Sequence, residues 1–188
     1  AADTDQLGGP APARTPAPAP NLFDERARLL FKDWPCKPVA PSRGETIGIP
    51  RVLAFWDQMP FWSTLLRALG FTVRISRPST RRMYERGLAH VTSDTICFPA
   101  KLVHGHIRDL ADAHVDRILM PIITAVPSEN VMKTSEWMCA VVKGYPYVLK
   151  NSDDPARRFG IPFDTPLFHW YTRRDRDRQL TAFLHDTY

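Results

Sequence analysis

Hydrophobic and polar positions change their period several times along the chain, and each change marks an element. Residues 21–33, NLFDERARLLFKD, place Leu22, Leu29, Phe23 and Leu30 at helical spacing behind Asn21, a residue suited to capping. TIGIPRVLAF then has the β-branched, apolar character of a short buried strand, with Gly48 and Pro50 marking its end. Pro60 fits an early helical position, and Phe61, Leu65 and Leu69 with Trp62 and Leu66 form a broad apolar face closed by Gly70. In FTVRIS, Phe71, Val73 and Ile75 alternate with Thr72, Arg74 and Ser76, which predicts a half-buried strand. Ser79 or Thr80 caps a helix running through Gly87, and a further helix is expected from about Pro99 to Ala113. VDRILMPII supplies another buried strand, CAVVKGY reads as strand-like, and a helix follows Thr172. Strands alternating with helices predict an α/β fold: a Rossmann-like, doubly wound, mainly parallel sheet.

Composition adds the domain boundaries. Eight of the 18 prolines precede residue 42, and Gly8 to Pro20 alternates Ala with Pro, a composition that favours extended chain and buries no core. Residues 1–20 are therefore expected to be an Ala/Pro-rich linker, 21–43 a docking helix with a proline-rich connector, and 44–188 the α/β domain. A chain that opens on a linker, with Ala1 in place of an initiator Met, is expected to be part of a longer polypeptide with a domain before it. The hydrophobic fraction of 44% and charged fraction of 24% exclude a wholly disordered or fibrous chain. The net charge of +5 comes from arginines spread over unrelated elements, a distribution that permits acidic partners but does not favour nucleic acid. No apolar stretch approaches the ~20 residues of a membrane span, and the N-terminus lacks a signal-peptide pattern, so a cytoplasmic protein without a membrane partner is expected.

Three cysteines, Cys36, Cys97 and Cys139, lie too far apart for a disulfide framework or a CxxC motif, which points to a reducing compartment. Phe98 and Pro99 follow Cys97, and proline favours the first turn of a helix, so Cys97 is expected at a helix N-terminus. Free N–H groups and the helix dipole stabilise a thiolate there, and Lys101 adds a positive charge four residues on. The competing expectation for Cys97 and Cys139 is that each is an ordinary core cysteine. His104 and His106 are about 200° apart around a helix axis, so one ion cannot be chelated by both from a regular helix, and two separate jobs are expected. Pro50 and Arg51 follow the first strand, where ligands collect in open α/β sheets, and Arg51 is a candidate anion binder; Arg81 and Arg82 are weaker ones. No Gly-rich phosphate loop, GxSxG elbow or HExxH is present.

IGIPRVLAFWDQMPFW, GFTVRISRPSTRRMYERG, CFPAKLVHGHI and VDRILMPII, in that order, resemble segments of the activator-related proteins of 2-hydroxyacyl-CoA dehydratases, the CoA-substrate-specific enzyme activase family. The likeness extends through CAVVKGYPYVLKN and back to NLFDERARLLF, covering most of residues 21–151. It implies a domain that follows ATP-binding activase domains and is related to iron–sulfur dehydratase subunits, with ATP bound only in those neighbours. It further implies that Cys97, in a CxPxK-HGH block, and Cys139, in a block similar to NCP-V-YP, ligate an iron–sulfur cluster of 4Fe-4S or double-cubane type. Two departures matter: Ile122 stands where many large relatives carry a further cysteine, and Ala140 rather than proline follows Cys139. Two cysteines do not complete a four-thiolate set, so other domains, a second subunit or a non-protein ligand finishes the site, or this member has lost it.

The leading expectation is a domain that helps to hold a cluster for ATP-coupled, low-potential electron transfer. Lys101, His104 and His106 would then surround the ligands, and Pro50 and Arg51 would line the site. Its partners would be neighbouring domains of the same polypeptide and a dehydratase-like subunit. The rival is a non-catalytic domain that docks an activase to its partner through Trp56, Trp62 and Arg51, without a cluster.

Overall fold

The computed structural model describes residues 19–127 and 137–188. The segment expected to be a linker therefore lies, up to residue 18, outside the described residues. Helix α1 (Leu22–Phe31) begins where the Asn21 side chain accepts the Phe23 N–H at 3.1 Å. It lies against α2 (Phe55–Ala68), with Arg26 bonded to Asp57 at 2.9 Å and Phe31 meeting Trp56 edge-on at 4.8 Å.

The strands among the described residues are β1 (Thr46–Ile49), β2 (Thr72–Ile75), β3 (Arg117–Leu119), β4 (Ile122–Ile123), β5 (Phe163–Asp164) and β6 (Leu167–Phe168). Four of them form one sheet in the order β2-β1-β3-β5, parallel throughout, and β4 pairs with β6, also parallel. This is the α/β, mainly parallel architecture that the alternation of patterns predicts. VDRILMPII nevertheless forms two strands rather than one. Proline has no N–H to give a ladder, and Pro121 and Pro166 face each other across the same gap between β3–β4 and β5–β6. The ladder resumes at once, with the Ile122 N–H donating to the Pro166 carbonyl at 2.8 Å.

Two other expectations need correction. β1 stops at Ile49, and α2 starts at Phe55, five residues before Pro60, which lies inside the helix. The turn between them carries Leu53 at φ 48, so the apolar run 46–55 is a strand and a turn together. CAVVKGY is not a strand: residues Ala140–Ser152 form helix α5. Adjacent valines imitate a strand, but the buried side chains Tyr145 and Leu149 are four apart, which is the spacing of one helical face.

Helix α3 (Arg81–Gly87) is capped by Thr80, whose hydroxyl accepts the Met83 N–H at 3.1 Å, and a single 3-10 turn (Leu88–His90) follows. Helix α4 (Phe98–Asp112) packs on α3, on α5 and on the short α6 (Pro155–Phe159). The final helix, α7 (Arg173–Thr187), is capped by Thr172 and leaves Arg173, Arg174 and Arg178 in solvent. Gly48 shows how the layers divide. A Cβ there would come within 3.3 Å of Leu110 in α4 and 2.9 Å of Val115, so β1 faces α4 at Gly48 and turns Ile47 and Ile49 to the opposite layer. That layer contains the buried Trp62 of α2, stacked on Phe168 at 6.2 Å and Trp170 at 5.8 Å.

Candidate functional site

Helices that connect parallel strands run antiparallel to them, so their N-termini gather at the C-terminal edge of the sheet. Cys97 is the residue that precedes the first turn of α4, and Cys139 holds the same place before α5. Both are free thiols and both are exposed, which excludes the expectation that they are core residues. Pro99 in the first turn of α4 bears out the reading of Cys97 as a helix start. Cys139 forms no full capping hydrogen bond, yet the backbone N–H groups of Val142 and Val141 hold its thiol below the usual range, with a smaller pull from Lys143. Cys36 lies elsewhere, with an Arg67 nitrogen 3.6 Å from its sulfur.

Between the two helices runs a buried hydrogen-bonded chain that starts from His104. Positions 97, 101 and 104 recur on one face of α4, and His104 at the end of that series is fully buried. Its Nδ1 lies 2.7 Å from Asp153 Oδ2 and its Nε2 lies 3.1 Å from the Tyr145 hydroxyl. Arg158 bonds the other oxygen of Asp153. Burial alone would raise the Asp153 carboxyl, but hydrogen bonds from His104 and Arg158 outweigh it and hold the group below the usual carboxylate range. Tyr145 is pushed up to about 12, first by burial and then by the negative charges of Cys97 and Asp153. The chain from Arg158 to Tyr145 therefore ends in the neighbourhood of the Cys97 sulfur.

His106 turns to the other side of the helix, as two positions of separation require. Its Nδ1 lies 2.7 Å from the Ser76 hydroxyl and its Nε2 lies 2.9 Å from the Ser79 hydroxyl. Ser76 Oγ also accepts the Arg51 N–H at 2.8 Å, which links the imidazole through this hydroxyl to the turn after β1. Burial lowers the His106 pKa to about 4, against a small opposing pull from Asp109, and the ring is neutral. It ties α4 to the loops that follow β1 and β2. Gly105, between the histidines, is where α3 crosses. A Cβ there would lie 2.2 Å from the Met83 carbonyl oxygen, and one on Gly87 would lie 2.5 Å from the Gly105 nitrogen.

The other anticipated residues divide. Lys101 donates to the Asp94 carbonyl at 2.7 Å, which fastens the loop leading into Cys97. Pro50 is buried at the end of β1. The Arg51 guanidinium stacks over Phe31 at 3.9 Å and near Trp56 at 5.2 Å, and burial lowers its pKa. Arg51 is thus packed beneath α1 rather than turned to the cysteines. The crevice where the strand order reverses, between the ends of β1 and β3, is narrow and lined by Val52, Phe55, Gln58, Met120, Pro121 and Val142. Ile122 is only 2% exposed, inside β4. Trp137 and Tyr171 are exposed and meet edge-on at 6.0 Å, with Lys143 over the Trp137 ring at 5.3 Å.

Tyr145, Asp153 and Arg158 escape sequence reasoning, because the bonds from His104 span 41 and 49 positions and no local motif announces them. No helix among the described residues is long and apolar enough to cross a membrane. Residues 46–187 match the family model described as the CoA enzyme activase uncharacterised domain. Neither the curated proteins nor the solved structures yielded a match.

Proposed function

The chain belongs to the family of CoA enzyme activase uncharacterised domains, and on that premise we propose that Cys97 and Cys139 ligate an iron–sulfur cluster shared with another domain or subunit. The supporting observation is that both thiols are exposed, each at a helix N-terminus on the same edge of the sheet. At Cys139 the N–H groups of Val142 and Val141, with Lys143, favour the thiolate form, which is the one that binds iron. The donor set is partial. Among the described residues no group of three or more His, Cys, Asp or Glu side chains is arranged to hold a metal, so the remaining ligands come from outside this set.

A bound cluster of this kind supplies single electrons at low potential. The residues of this chain would present two sulfurs, fix the loop before Cys97 through Lys101, and set the polarity behind it through Tyr145 and His104. ATP would be handled by neighbouring activase domains, and the electrons would pass to a dehydratase-like partner. A docking domain without a cluster is the second reading; the surface expected for it is not available, because Trp62 is fully buried and Trp56 and Arg51 pack against Phe31 of α1, and the exposed Trp137 and Tyr171 favour it instead.

Iron and acid-labile sulfide content, with a visible spectrum, decides between them when the whole polypeptide is reconstituted anaerobically. The cluster reading expects a brown protein whose iron falls in both Cys97→Ala and Cys139→Ala. Iron-free wild type, with both variants folded, leaves the docking reading.

A further inference from the structure

A second cluster of charged side chains lies away from the cysteines, past the end of β2. Arg77 leaves the strand there, and its backbone N–H and guanidinium both bond Asp109 of α4, at 2.9 Å and 2.7 Å. Asp109 is itself only 6% exposed. Burial would raise its carboxyl, but the bonds from Arg77 outweigh it and keep the group ionised. The pairing holds Arg77 in one orientation at the mouth of a cleft of about 420 Å³, whose walls include Arg82, Arg86, Pro78 and Met83.

Arg86 is oriented in the same manner by Asp112 at 2.5 Å, and Asp112 also faces Arg108 at 3.5 Å, so its charge is divided between two cations. Arg82 has no carboxylate partner among the described residues, whereas its neighbour Arg81 is paired with Glu85 at 2.9 Å. With Asp109 on Arg77 and Asp112 shared between Arg86 and Arg108, the cleft keeps an excess of positive charge, centred on Arg82, beside an apolar wall. Guanidiniums present paired N–H donors that match phosphate oxygens, and two of the three are already fixed by carboxylates, which lowers the ordering cost of binding.

We infer that this cleft is an anion site for a small-molecule phosphate monoester, with the phosphate on Arg77, Arg82 and Arg86 and the apolar part of the ester against Pro78 and Met83. The site is separate from the cysteines and stands whether or not a cluster is bound.

The test uses the full chain at constant ionic strength, with inorganic phosphate and phenyl phosphate as probes and chloride as the control, read by calorimetry and by the shift in thermal midpoint. Saturable binding of both phosphates is expected, tighter for phenyl phosphate. Loss of one charge-assisted contact costs about 1.4 kcal/mol or more, so Arg82→Ala should weaken both at least tenfold. Arg81→Ala, which removes an adjacent charge outside the cleft, should leave both unchanged. Both positions are exposed, so neither variant threatens the fold. A response that chloride reproduces, or that Arg81→Ala and Arg82→Ala reduce equally, would mark a solvated basic face and overturn the assignment. Phenyl phosphate binding no tighter than inorganic phosphate would overturn the monoester class.

Discussion

His104 and His106 are two positions apart on one helix, yet they occupy unlike surroundings. His104 joins a charged, buried chain through Asp153 and Arg158 to Tyr145, while His106 is held as a neutral ring between two serine hydroxyls. The helical period sends them to opposite sides, and Gly105 between them admits α3 at backbone distance. One short motif therefore fixes three neighbours of α4. The difference teaches that identical residue types in one motif carry different chemistry: one end relays polarity toward Cys97, and the other locks two loops.

The largest effect should come from cutting the charged side. Asp153→Ala leaves Arg158 and the buried His104 without their carboxylate and is expected to cost about 4 kcal/mol, measured as the shift in urea midpoint. Gly105→Ala strikes both sides at once, because its Cβ would lie 2.2 Å from the Met83 carbonyl oxygen. α3 must move away, at about 3 kcal/mol by the same measurement.

Acid probes the His106 side. Unfolded, His106 takes up its proton near 6.5; folded, it does so only at about 4. The unfolded state binds the additional proton first, so this contribution to stability is intact above 6.5 and is lost as pH falls toward 4. A loss of about 2 kcal/mol is expected by pH 5, and His106→Gln should flatten that slope. An unchanged slope in the variant would assign the acid sensitivity to other groups. The smallest effect is expected from Tyr145→Phe, which removes one hydrogen bond to His104 and should cost about 1 kcal/mol.

The Asn21 cap was legible in the sequence, of the alternatives Ser79 and Thr80 it is Thr80 that accepts the N–H of α3, a helix does follow Thr172, and Cys97 precedes a helix as Phe98-Pro99 requires. The parallel sheet followed from alternation alone. What was not legible had physical causes. α5 opens with Val141 and Val142, whose branched side chains resemble a strand until Tyr145 and Leu149 are seen to share a helical face. β5 and β6 are two residues each and interrupted by Pro166, too short for any alternation to register. Cys97 could be placed at a helix start, but Cys139 could not, because the run it opens reads as a strand, and Tyr145 and Asp153 reach the site only through tertiary packing.

The most direct test of the proposed site is mass-spectrometric alkylation of the three thiols, before and after anaerobic reconstitution of the full chain with iron and sulfide. Cys97 and Cys139 should react readily at first, as exposed thiols, and should become protected together when iron is bound, while the reactivity of Cys36 stays the same. Iron uptake that leaves Cys97 and Cys139 as reactive as before would contradict the account.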